Sequence, residues 1–86
     1  MELLDFRNAL NFAITCMEVR FIDLKNRRVE MLRCLKVGVP GSAECVDLYD
    51  KELRNIALSI IEIYKHMGYC EVCYEEYLKY LANTVE

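Results

Sequence analysis

Between Leu3 and Leu35 apolar residues return at every third or fourth position, and no proline or glycine interrupts the chain before Gly38. Leu3, Phe6, Leu10, Ala13, Ile14, Met17, Phe21, Leu24, Met31, Leu32 and Leu35 fall on one arc when each residue is turned by about 100°. The spacing predicts one amphipathic helix over about 3–36, roughly 45 to 50 Å long at about 1.5 Å per residue.

Gly38, Pro40 and Gly41 then punctuate the sequence, and Ser42 stands where an N-cap hydroxyl would accept from free backbone N–H groups. A second helix is expected over about 43–67. Its apolar face is Cys45, Val46, Tyr49, Leu53, Ile56, Ala57, Ile60, Ile63, Tyr64 and Met67, opposite Asp47, Lys51, Arg54, Asn55, Glu62 and Lys65. Gly68 suits the left-handed conformation that closes a helix, with Tyr69 placed for the accompanying apolar contact. A third helix is expected over about 70–82, its inner face Cys70, Tyr74, Tyr77, Leu78 and Leu81. The fold class is therefore all-α: a long antiparallel helical hairpin with a shorter third helix, forming a three-helix bundle.

An 86-residue chain fits one domain, and a domain of this size buries only about 60% of its unfolded surface. With 55% hydrophobic residues, the surplus apolar surface points to association, most simply a homodimer. A second apolar strip on the first helix, Ala9, Phe12, Cys16 and Val19, needs a cover. Short connections make successive helices neighbours, so the third helix is expected to return along this strip. The alternative is that the strip is a dimer seam and the third helix lies elsewhere. Ile22 and Val29 on the first helix, with Leu58 and Ile61 on the second, are further candidates for an interaction surface.

Other chemistry is sparse. Arg20, Lys25, Arg27, Arg28, Arg33 and Lys36 outnumber Asp23 and Glu30 between them. Arg20, Lys25, Arg27, Arg33 and Lys36 are candidate phosphate contacts, because counterion release from successive phosphates needs such cations on one face. Here they are spread around the helix, at its dipole-favoured C-terminal end and opposite Glu44, Asp47, Asp50 and Glu52. Mutual compensation is the structural reading, and nucleic-acid binding is the alternative. Arg28 interrupts the main apolar stripe and, if buried, calls for an acidic partner, either near the level of Tyr49 and Asp50 or from a second subunit. The alternative is that its stem packs while the guanidinium reaches water.

Cys70 and Cys73 form a C-x-x-C at a helix start, a spacing used by redox and metal sites, but no second pair completes a zinc site. Cys34 and Cys45 bracket the hairpin turn and are candidates for a disulfide across it. Packed thiols are the plain expectation for all five cysteines. Glu62 and His66 lie one turn apart on the polar face, unlike the inward Glu-x-x-His of bundle metal sites. With a single histidine no catalytic triad is assembled, and no cofactor or metal is expected. The start of the chain lacks the basic region of a signal peptide and no run is long enough for a membrane span, so a cytoplasmic protein is expected. The lack of glutamine and tryptophan alongside abundant Glu, Lys, Ile and Leu is a thermophile-like usage. The sequence thus favours a small non-enzymatic interaction or regulatory protein, with nucleic-acid binding and a C-x-x-C redox or metal role as alternatives.

Overall fold

The computed structural model describes the backbone of residues 3–84 and the side-chain surroundings of residues 6–83. It is all-helical, with three helices and no strand among the described residues. Helix α1 spans Leu3–Lys36 and α2 spans Ser42–His66. A 3₁₀ turn, Glu71–Tyr74, leads into α3, Glu75–Thr84. The molecule measures 53 × 25 × 14 Å, its long dimension set by α1.

Both long helices close in the same way. Gly38 and Gly68 have φ of +82° and +80°, a left-handed backbone that costs glycine nothing. The N–H of Val39 reaches the carbonyl of Cys34, and that of Tyr69 reaches Tyr64, each the six-to-one bond of a Schellman motif. Tyr69 also packs edge-on against Tyr64, ring centroids 5.4 Å apart, as the expected apolar contact. The start of α2 differs from expectation. Gly41, at φ +84°, is the cap residue, and Ser42 is the first helical residue. The Ser42 side chain is buried and its hydroxyl donates to the Val39 carbonyl at 2.8 Å. The hydroxyl thus ties down the turn and does not accept from the helix.

The core lies at one level of the hairpin. Phe21 and Leu24 from α1 meet Leu53, Ala57, Ile60 and Ile61 from α2, with Tyr74 and Tyr77 laid over them. Leu53, Ala57 and Ile60 are completely buried. Helix α3 packs along α2 and lies over the groove between the long helices, where Phe21 receives Tyr77 and Tyr80 edge-on at 5.2 and 5.1 Å.

This placement corrects two expectations. The strip Ala9, Phe12, Cys16 and Val19 is not covered by α3: all four are exposed, Phe12 to 71% and Val19 to 63%. Ile61 is no surface residue, being 4% exposed in the cluster that contains Tyr74 and Tyr77. The two corrections share one cause. Ile61 follows Ala57 by one turn, on the flank of α2 that α3 covers, so the helix that buries Ile61 is unavailable to the strip on α1. Before Ile14, no residue of α1 from position 6 onward is buried.

Candidate interaction surface

The outer face of α1 carries Phe12, Cys16, Val19, Ile22 and Val29, every one exposed. Their spacing is helical, so they line one side of a straight rod over about 26 Å at 1.5 Å per residue. Ile22 is exposed to 60% and Val29 to 48%. Thr15 and Asn26 sit between them on the same face and are also exposed. A strip this long, apolar for most of its length and flanked by charges, is the kind of surface that globular proteins ordinarily bury. Leu58, exposed to 43%, stands apart on α2, and Leu48 at 63% lies three turns before it.

The strip is held rigid from behind. Glu18, half-buried on the inner flank of α1, accepts hydrogen bonds at Oε2 from the Tyr64 hydroxyl at 3.2 Å and the Tyr77 hydroxyl at 3.3 Å. One carboxylate therefore joins α1, α2 and α3. Burial, with the nearby Glu18 charge, raises both phenols above their ordinary value, because ionising them would put a second negative charge beside the first. Glu18 escaped the sequence reading. The available signal was its position on the border of the main stripe, four residues after Ile14 and three before Phe21, combined with tyrosines that need an acceptor when buried.

The cations of α1 are mostly engaged with carboxylates. Arg20 bonds Glu52 across the hairpin, its Nε lying 3.0 Å from Oε1. Arg28 bonds Asp50 at 2.5 Å, one of the partners that the interrupted stripe left open. Arg27 pairs with Asp23 and Arg33 with Glu30 within α1, both at 2.8 Å. Lys25 lies over the Phe21 ring, 5.5 Å from its centroid. The acidic start of α2 is thus met in part across the hairpin, by Arg20 and Arg28, and in part by Lys51, which reaches Asp47 at 3.4 Å.

At the end of α3 a cleft of about 590 Å³ opens between the helices, lined by Lys25, Arg28, Lys51 and Arg54 with Asp50 as its carboxylate, and by Tyr80. The Tyr80 phenol is pushed up by burial and by the Asp50 charge, partly offset by Arg28 and Arg54.

All five cysteines are free thiols. Cys34 and Cys45 are half-buried beside the hairpin turn, whereas Cys16, Cys70 and Cys73 are exposed. Cys70 and Cys73 sulfurs approach to 4.0 Å, a weak thiol hydrogen bond. The Cys73 thiol is pushed up by desolvation and by its neighbour, the opposite of an activated thiolate. Among the described residues no group of three or more His, Cys, Asp or Glu is arranged to hold a metal. Glu62 and His66 face solvent 3.8 Å apart. No helix is long and apolar enough to cross a membrane within the described residues. No family model matches the chain, and no curated protein or solved structure is similar to it.

Proposed function

We propose that this protein is a non-enzymatic helical interaction module that works by burying the outer face of α1 against another helix, in a copy of itself or in another protein. The observation that carries the reading is the exposed apolar strip Phe12, Val19, Ile22 and Val29, which neither α2 nor α3 covers. Burying four such side chains contributes about 25 cal/mol for each Å² of apolar surface removed from water, enough in sum to drive association of rigid partners. Rigidity is supplied by the core and by the Glu18 junction behind the strip.

A second reading has one observation in its favour. The cleft lined by Lys25, Arg28, Lys51 and Arg54 is a concave cationic surface on a chain whose net charge is −3, and a phosphate group is the ligand chemistry it matches. Light scattering at low and high salt, with and without a short mixed-sequence DNA duplex, separates the two readings. With a copy of itself as the partner, the interaction reading expects a mass above that of one chain, unchanged by DNA. A chain that stays monomeric and gains mass only with DNA, losing it at high salt, overturns that reading in favour of phosphate binding.

A further inference from the structure

Resting on the interaction reading, we infer that the partner of the α1 outer face is a second copy of this chain, docked antiparallel about a two-fold axis between positions 20 and 21. Phe12, Val19 and Asn26 follow one another at intervals of seven, and Thr15, Ile22 and Val29 do the same three residues on. All six are exposed. This is the alternating three- and four-residue spacing of a coiled-coil seam, in which one series meets the other across an antiparallel pair.

One register matches every layer. Setting Phe12 opposite Val29 of the partner subunit places Thr15 opposite Asn26 of the partner subunit and Val19 opposite Ile22 of the partner subunit, and the two-fold repeats each layer. Apolar meets apolar, and the two polar residues meet each other, so the amide and hydroxyl find partners when water is expelled. Shifting the pair by one heptad either way loses this. One shift sets Thr15 against Val19 of the partner subunit, and the other sets Phe12 against Lys36 of the partner subunit.

Charge selects antiparallel over parallel. In the antiparallel register Arg33 lies opposite Asn8 of the partner subunit, so no like charges meet across the seam between positions 8 and 33. A parallel in-register pair does the reverse. It stacks Arg33 on Arg33 and Lys36 on Lys36 from the two copies. It also aligns the dipoles of two 34-residue helices, which the antiparallel pair opposes. The buried Thr15 and Asn26 layers weaken the seam relative to an all-apolar one but penalise every register that leaves them facing an aliphatic neighbour.

The test is the distance between spin labels at position 37, just beyond α1, where Val37 is 78% exposed. Val37→Cys is made in a chain whose five native cysteines are replaced by serine, its dimer mass being checked first. The antiparallel register expects labels about 50 Å apart, from the 1.5 Å rise on either side of the axis. Labels within about 20 Å, near the spacing of adjacent helices, overturn the antiparallel pairing while leaving an α1 interface in place. A protein that is monomeric at the labelling concentration with all its native cysteines present overturns the self-pairing outright.

Should the serine background fail to fold, a charge pair introduced in the natural cysteine background decides the same point. Thr15→Glu and Asn26→Lys should each weaken dimerisation about fivefold, and the double variant, whose new charges face each other across the antiparallel seam, should recover most of that loss. Single losses without recovery overturn the register. A dimer unaffected by Ile22→Glu instead removes the interaction reading on which the inference rests.

Discussion

Tyr77 of α3 donates its phenolic hydrogen to Glu18 of α1 at 3.3 Å, and Tyr64 of α2 donates to the same carboxylate oxygen. Three helices that share no sequence neighbourhood are tied at one atom. Tyr77 is buried, so its hydroxyl has lost water that only Glu18 replaces. Glu18→Ala should therefore destabilise the fold by about 1 to 3 kcal/mol in denaturant unfolding, and Tyr77→Phe by about 1 kcal/mol. Variants within 0.3 kcal/mol of the natural chain would show that the junction is incidental.

The same junction sets an alkaline limit. Tyr64, Tyr77 and Tyr80 hold their protons above the ordinary tyrosine value of 10.0. A raised folded value means stability that is fully present below pH 10 and is lost as pH climbs through the folded values. Unfolding free energy should fall above pH 10, and Tyr77→Phe should flatten that decline. Ultraviolet titration should find Tyr64, Tyr77 and Tyr80 ionising above pH 10.

Core and surface leucines on α2 should separate cleanly. Leu53 has no exposed surface and packs in the main cluster, so Leu53→Ala should cost about 2 to 5 kcal/mol, including the cavity left behind. Leu48 is 63% exposed, and Leu48→Ala should stay within about 0.5 kcal/mol. Thermal unfolding of the two variants side by side is the check, and equal losses would contradict the assigned core.

Much of the architecture was legible because helix faces are local. The stripes of α1 and α2 and the Gly68 closure with its Tyr69 contact follow from spacing within one helix and its cap, whereas Asp50 was one of several partners open to Arg28. The side on which α3 packs did not follow. Both flanks of α1 offered apolar residues, and the choice depends on Tyr77 finding Glu18 and Phe21, partners 59 and 56 positions away in the chain. From that one choice came the burial of Ile61 and the exposure of Phe12 and Val19. Ser42 misled for a different reason. Its type is right for an N-cap, but Gly41 in the left-handed region sets the helix one residue earlier relative to the hydroxyl.

Thiol reactivity reports on the same face. Cys16 is exposed, whereas Cys34 and Cys45 are half-buried, so a thiol reagent should modify Cys16 faster than those two in dilute protein. Cys16 flanks the proposed seam, so its rate alone should fall as concentration rises and copies associate. A Cys16 rate independent of concentration would argue against contact at this face.

The central claim is that the outer face of α1 is the surface through which this protein associates, and it is tested most directly by the solution mass of Ile22→Glu beside that of Leu48→Glu. Both side chains are about 60% exposed in the single chain, so neither substitution disturbs the core. The account predicts that Ile22→Glu is a folded, helical monomer while Leu48→Glu keeps the mass of the natural assembly. Equal masses for the two variants, whether both associated or both monomeric, would contradict it.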